Sequence, residues 1–365
     1  MIIDLQPTPT SELGGRRGMR AMIIRRHGGP DVLEPAELAV PTPGPGEALV
    51  RVGAVSINSY LDVTNRAQGV HYPGYGMPQV LGSEHAGTLV ALGPDTGTDI
   101  PLGTAVSVLN SIPCRQCAWC VRGDEASCPH VQIMGVTRPG AYAEYTAVPV
   151  MNLRPIPEGV TVVEAAGMNV IGPLAVEQLL AVDARPDEYV VVHGAGSATG
   201  TMTARVARSM GLRTIGTVRG DRKVARLSEL DLFDELVDST DPDVLQRLQE
   251  ITKGHGADIV IDNIGDEELF GLSTAALCAA GRIACSGAKF GGEVRLNLRQ
   301  LYSQGQRIIG VRGSTQEAKD RFWKLVEEKG VRPVIDEIHP LSNVADVHRR
   351  IEAGLNIGRP VVTID

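Results

Sequence analysis

Two hydrophobic rhythms divide the chain. Between about residues 19 and 150 the apolar positions fall in short runs (MIIRR, EALVRVGAV, GTLVAL, AVSVL, AYAEYTAV) broken by clusters of proline and glycine. That punctuation predicts a compact β-rich domain, with its first strand at residues 19–25. From about Glu188 nearly continuous apolar runs alternate with helical patterns. Strands are expected at 189–193, 214–218, 235–237, 258–262 and 282–286, with helices at 201–210, 221–230, 243–252 and 267–279. Such alternation predicts a parallel sheet covered on both faces. A strand at 308–311, a helix at 317–328 and short strands ending at 360–364 follow. The C-terminal segment is therefore expected to rejoin the first domain.

At 365 residues the chain exceeds what one core usually supports, in agreement with two domains. Its formal net charge of −8, with no basic block, argues against a nucleic-acid surface. No apolar run approaches the roughly 20 residues of a membrane helix. Residues 1–18 lack the apolar stretch of a signal peptide and read as a flexible N-terminal tail, with Met19 as an alternative start. The expected compartment is cytoplasmic, where six cysteines do not imply a disulfide framework. Cys278 and Cys285 read as core thiols.

Where the strand at 189–193 meets its helix, the chain reads Gly194, Ala195, Gly196, Ser197, Ala198, Thr199, Gly200. Glycines here allow a tight turn and a close approach to a pyrophosphate, whose charge is met by amide groups at a helix N-terminus. The last glycine comes one residue later than in the strict G-x-G-x-x-G pattern. After the second strand an NAD site would place a carboxylate for the ribose 2′-hydroxyl. This chain instead offers Arg219, with Arg222 and Lys223 nearby. A guanidinium suits a 2′-phosphate, so NADPH is the expected coenzyme.

The chemistry of the first domain centres on Cys114, Cys117, Cys120 and Cys128, spaced C-x2-C-x2-C-x7-C. Four thiolates at such intervals predict one closed tetrahedral Zn2+ site, with no position left for water or substrate. Together with EALVRVGAVSIN, VLGSEHAGTLVALG, GAGSATG, IVIDNIG and the closing GRPVV, this lobe resembles the medium-chain dehydrogenase/reductase superfamily from about Met19 to the C-terminus. The resemblance implies a GroES-like catalytic domain (19–171, completed by 317–365) and a Rossmann coenzyme domain (172–316). It also implies a homodimer or homotetramer, with the apolar run 308–311 as a pairing edge.

Alcohol dehydrogenases of that superfamily bind a second, catalytic zinc through Cys, His and a third Cys or equivalent. Here the correspondence fails. Counting back three from Asp62 gives Ser59, beside Asn58; the His of G-H-E is replaced by Ser83; residues 164–172 hold neither Cys nor His. The hydroxyl that relays a proton in those enzymes would be Leu61. Glu84 and His85 remain, but two groups do not make an open three-ligand site, and His85 is expected to be a hydrogen-bonded core or cleft residue. The pattern is similar to the quinone oxidoreductase and enoyl reductase branch, which lacks a catalytic zinc. An activated C=C bond of an enone, quinone or enoyl thioester is the expected substrate. Tyr72 and Tyr60 are the candidate proton donors, with Asp62 as an orienting group or helix cap and Asn58 near the lost cysteine. The alternatives are a zinc-type alcohol dehydrogenase, or a carbonyl or iminium reductase, with an atypical metal site built from Ser83, Glu84 and His85, and a non-catalytic NADPH sensor.

Overall fold

The computed structural model describes residues 18–289 and 291–364, the side chains of Asp221 and Arg222 excepted. The chain divides into two compact units, one reaching to Val170 and resuming at Ile335, the other spanning Ile171–Val334. The expected tail lies outside the described residues apart from Gly18, which opens the strand Gly18–Ile24.

The β-rich unit is organised around its longest strand, Glu47–Ser56. On one side it pairs antiparallel with Glu84–Leu92; on the other, its two ends pair with Tyr145–Pro149 and Arg359–Thr363. The C-terminal strand thus completes the sheet, as its apolar pattern foretold. Small residues at Ala54 and Ala86 let the helix Val162–Met168 lie on the sheet through Ala165 and Ala166. That helix starts at a capping box, in which Thr161 Oγ1 accepts from Glu164 N and Glu164 reaches back to Thr161 N. Its C-cap is Asn169.

The second unit holds a six-stranded parallel sheet in the order Glu235–Asp238, Arg213–Val218, Tyr189–His193, Ala257–Asp262, Leu277–Cys285, Arg307–Gly310. In chain order that is 3-2-1-4-5-6, the doubly wound Rossmann arrangement, with its switch point between Tyr189–His193 and Ala257–Asp262. Strands buried on both faces explain the unbroken apolar runs read in the sequence.

One boundary differs from expectation. The return to the first unit comes at Ile335 and not at residue 317. The helix Gln316–Lys329 stays in the coenzyme unit because it buries Ala318, Phe322, Trp323 and Val326 there. Phe322 packs against the helix Ile171–Ala181 so closely that a Cβ on Gly172 would come within 2.1 Å of its ring. Amphipathicity marked the helix without saying which core its apolar face would enter.

Candidate functional site

The turn at residues 194–200 follows from its glycines. Gly194 has φ of +67°, which only glycine adopts without cost, and Ser197 N donates to Gly194 O at 2.8 Å to close the turn. Ser197 then caps the helix Ala198–Ser209, its Oγ accepting from Gly200 N at 2.9 Å. The helix accordingly begins three residues before the expected 201. The late glycine has a packing reason: a Cβ on Gly200 would stand 2.3 Å from Gly194 O. The amide groups of Ala198 and Thr199, at the start of the helix, have no partner within it and suit an anion. Gly196 lies within the same turn, at the C-terminal edge of the parallel sheet.

His193, at the end of the preceding strand, is buried and bonded through both ring nitrogens, Nδ1 to Thr217 Oγ1 (2.7 Å) and Nε2 to Ser273 Oγ (2.8 Å). Burial pushes its pKa down to about 4, so it ties strand to helix as a neutral ring. Arg219 follows the second strand and is well exposed; its Nη2 lies 3.5 Å from Asp266 Oδ2. Asp238 Oδ1 accepts from Gly220 N (3.2 Å) and holds this loop against the next strand. Lys223 sits half-buried in the helix Asp221–Glu229, whereas the Arg222 side chain lies outside the described residues.

In the β-rich unit the four lobe sulfurs converge. Neighbouring Sγ atoms lie 3.5 Å (Cys117 to Cys120, Cys128 to Cys114), 3.9 Å (Cys117 to Cys128) and 4.0 Å (Cys114 to Cys120) apart. Sulfurs at about 2.3 Å from a tetrahedral zinc would be about 3.8 Å from one another, so the cradle fits the ion that its spacing predicts.

A second cluster forms around Glu84. The turn Ser59–Thr64 is a π-helix, wider than an α-turn, with both Asp62 N and Val63 N donating to Asn58 O at 3.1 Å. This geometry brings Asn58 against Glu84 and leaves Ser59, the residue reached by counting back from Asp62, exposed. Asn58 Nδ2 donates to Glu84 Oε1 (2.5 Å), while Ser56 Oγ (3.3 Å) and Arg359 Nη2 (2.6 Å) donate to Oε2. Glu84 and Arg359 are both buried, so each neutralises a charge the other could not carry alone inside the fold. Arg359 comes from the C-terminal strand, a contribution that no local reading of GRPVV reveals.

Asp62, an expected orienting group, is completely buried. Its carboxylate accepts from Asn58 N (2.7 Å), Gly82 N (3.1 Å) and Ser83 N (3.0 Å). Burial raises its pKa to about 7 against the opposing pull of those amides, with the nearby Glu84 charge adding to the rise. Its geometry is that of a tie between the π-turn and the Gly82 segment.

His85 departs from expectation. It is buried, yet neither ring nitrogen has a hydrogen-bond partner among the described residues, and burial lowers its pKa to about 3. Consecutive residues of a strand project to opposite faces, so Glu84 and His85 cannot point at one ion. Asn169, within the segment expected to carry a third ligand, donates through Nδ2 to Val108 O (2.6 Å) and His85 O (3.2 Å) and clamps two strands.

The two tyrosines differ in their surroundings. Tyr60 is 42% exposed, and its hydroxyl lies 2.6 Å from Nδ1 of His71, a residue to which the sequence drew no attention. The rings of His71 and Tyr72 are tilted by 36° with 4.0 Å between centroids, so the three residues form one aromatic, partly solvated group. An imidazole next to a phenol at this distance can pass a proton in either direction. Only the loop at residues 69–78 returning over the π-turn creates the pair.

The chain matches the family model "Alcohol dehydrogenase GroES-like domain" over residues 44–158 and "Zinc-binding dehydrogenase" over residues 198–328. It is 28% identical to alcohol dehydrogenase 1 of Neurospora crassa over 94% of this chain and 96% of the relative. It is 30% identical to L-threonine 3-dehydrogenase of Pyrococcus horikoshii over 77% and 79% of the two chains. Among solved structures it superposes on an NAD-dependent alcohol dehydrogenase with a TM-score of 0.85 and 32% identity, over 95% of this chain and 100% of that one. The chain belongs to the medium-chain dehydrogenase/reductase superfamily.

As a member of this superfamily it is an oxidoreductase of the NAD(P)-dependent class with a GroES-like and a Rossmann unit. A structural zinc fits its four converging sulfurs. A catalytic zinc does not fit the corresponding segments: Asn58 and Ser56 donate to Glu84, Ser83 adjoins Asp62, and Asn169 directs its Nδ2 to carbonyl oxygens, with only its amide oxygen left without a partner among the described residues. No helix among the described residues is long and apolar enough to cross a membrane.

Proposed function

We propose that this oxidoreductase uses NADPH to reduce an activated C=C bond, in an enone, quinone or enoyl thioester, without a catalytic zinc. The observation that carries the reading is the closed network around Glu84, in which neutral donors and one guanidinium engage both carboxylate oxygens. A simple ketone or alcohol depends on a Lewis acid to polarise its oxygen. In a conjugated acceptor the charge spreads to a distant oxygen, where hydrogen-bond donors suffice.

Bound NADPH would supply the hydride. The chain's own residues do the rest. The 194–200 turn and the helix behind it hold the pyrophosphate, and Arg219 exchanges Asp266 for the 2′-phosphate. Tyr60 gives its hydroxyl proton to the α-carbon or oxygen of the reduced substrate, and protonated His71 returns a proton through Nδ1 to the Tyr60 oxygen. His71 is exposed and refills from solvent. Tyr72 packs its tilted ring against His71 and helps to hold it. The exposed edge strand Arg307–Gly310, with Ile308 on its surface, supports pairing with a second copy in a cytoplasmic homodimer or homotetramer.

The test is NADPH oxidation by the purified full chain against a panel of quinones, enones and enoyl-CoA esters, repeated with phenanthroline in the assay. Turnover of one of these classes at an unchanged rate with chelator supports the reading. Activity confined to alcohols, ketones or imines, lost on chelation, would favour the metal-dependent rival, and tight NADPH binding without any turnover would favour a sensor. In parallel, Arg219→Ala should weaken NADPH roughly ten- to a hundredfold and NADH little; equal losses would contradict the phosphate assignment.

A further inference from the structure

At the opposite end of the Rossmann sheet from the coenzyme turn, His255, Asp258 and Cys278 bring one nitrogen, one oxygen and one sulfur within 4.8 Å of one another. The three come from separate places: the turn after the helix Val244–Ile251, the start of the strand Ala257–Asp262, and the start of Leu277–Cys285. His255 Nε2 is 2.9 Å from Asp258 Oδ1, and Cys278 Sγ is 3.6 Å from the same oxygen. The other carboxylate oxygen, Oδ2, accepts from Tyr189 N at 2.9 Å, which fixes the orientation of Asp258. Arg282, the nearby cation, is committed to Glu188 through Nη2 at 3.0 and 2.8 Å, and its Nη1 donates to the Asp258 carbonyl.

We infer that His255, Asp258 and Cys278 form a second metal site, taking a borderline divalent cation such as Zn2+ or Co2+ with water in the fourth position. The set matches that ion class on three grounds. Mixed imidazole, carboxylate and thiolate ligands select borderline metals over Mg2+ or Ca2+. Ligand atoms around a tetrahedral zinc stand about 3.3–3.8 Å apart, so the Asp258–Cys278 distance of 3.6 Å already suits the ion and the His255–Asp258 contact of 2.9 Å would widen. The Tyr189 amide supplies the outer hydrogen bond that metal-bound carboxylates generally carry. His255 is 57% exposed, so ion and water reach the site from solvent.

The Cys278 sulfur lies 3.2 Å from Ala279 O, and binding would displace the thiol proton. Because the ion takes the place of a thiol proton, affinity should rise with pH. The ion would link three strand and turn starts remote from the coenzyme turn, a structural or regulatory position. It is independent of the reaction proposed above.

The test is a Co2+ titration of the purified, zinc-loaded full chain, following thiolate-to-cobalt absorption and measuring the zinc retained by the four-cysteine lobe. The expected result is one further equivalent of cobalt with a thiolate band while one zinc is kept. Cys278→Ser should abolish the band. His255→Ala, an exposed change that leaves the core intact, should weaken uptake on the order of a hundredfold. Tighter binding as pH rises is expected in the native chain. No further equivalent, or one whose spectrum and affinity are the same in both variants, would overturn the inference.

Discussion

The cysteine lobe and the Glu84 cluster belong to the same unit, and each lies where relatives of this chain lead one to expect a metal. They differ in what their side chains still have to offer. In the lobe the sulfurs face mainly one another, at 3.5–4.0 Å, and a cation between them would gain four ligands. Around Glu84 the oxygens already accept from Asn58, Ser56 and Arg359, and a cation would have to displace a guanidinium in a buried setting. The contrast teaches that a metal site is decided by uncommitted lone pairs converging on a point, and that a carboxylate near the right place does not make one when its oxygens are already engaged.

The comparison can be broken most directly in the lobe. Cys117→Ser should cost at least about 4 kcal/mol and release zinc, because three thiolates no longer close the coordination shell. Thermal unfolding alongside metal analysis of the variant reads both effects; retained zinc and an unchanged melt would mean that the lobe is not held by a metal. On the other side, Arg359→Met should destabilise by about 3–5 kcal/mol, measured by urea unfolding, since it strands the Glu84 carboxylate in the interior. Zinc content should not move in that variant, and a rise would reveal that Glu84 becomes a ligand once freed.

Smaller effects sharpen the functional half of the contrast. Tyr60→Phe should lower the turnover rate about tenfold, with solvent replacing the lost donor, and His71→Asn should shift the pH profile of kcat while changing KM little. Equal rates in all three forms would remove the pair from the proton path.

The smallest change concerns His85. Replacing it with Leu should be neutral or stabilising by about 1 kcal/mol near neutral pH, because an imidazole without partners leaves the core. The pH dependence has a definite sign. The folded ring, held at about 3, binds its proton later than the unfolded ring at 6.5, so the native protein keeps this stability above 6.5 and loses it as pH falls toward 3. The Leu variant should lack that part of the acid loss. A loss of bound metal on the same substitution would restore His85 as a ligand.

Much of this was legible along the chain. The turn at residues 194–200, the lobe cysteines and the parallel strands are local patterns, in which spacing alone brings the groups together. His71 was not legible, because its partner Tyr60 lies across a turn whose π geometry no spacing rule announces. Arg359 was hidden for the same reason at longer range, since it meets Glu84 only when the last strand pairs with Glu47–Ser56. Counting back from Asp62 led to Ser59, whereas the π-turn presents its neighbour Asn58 to Glu84.

The amino-acid sequence by itself determined the two-unit architecture, the glycine turn at residues 194–200 and the four-thiol lobe, because each depends on residue type at short separation. Tertiary structure alone decided which lone pairs are spent: that both Glu84 oxygens are engaged, that His85 is buried with neither ring nitrogen partnered among the described residues, and that Tyr60 touches His71. Hydrogen-bond commitment is set by neighbours brought from far along the chain, and it is this commitment that turns a list of reactive residues into chemistry.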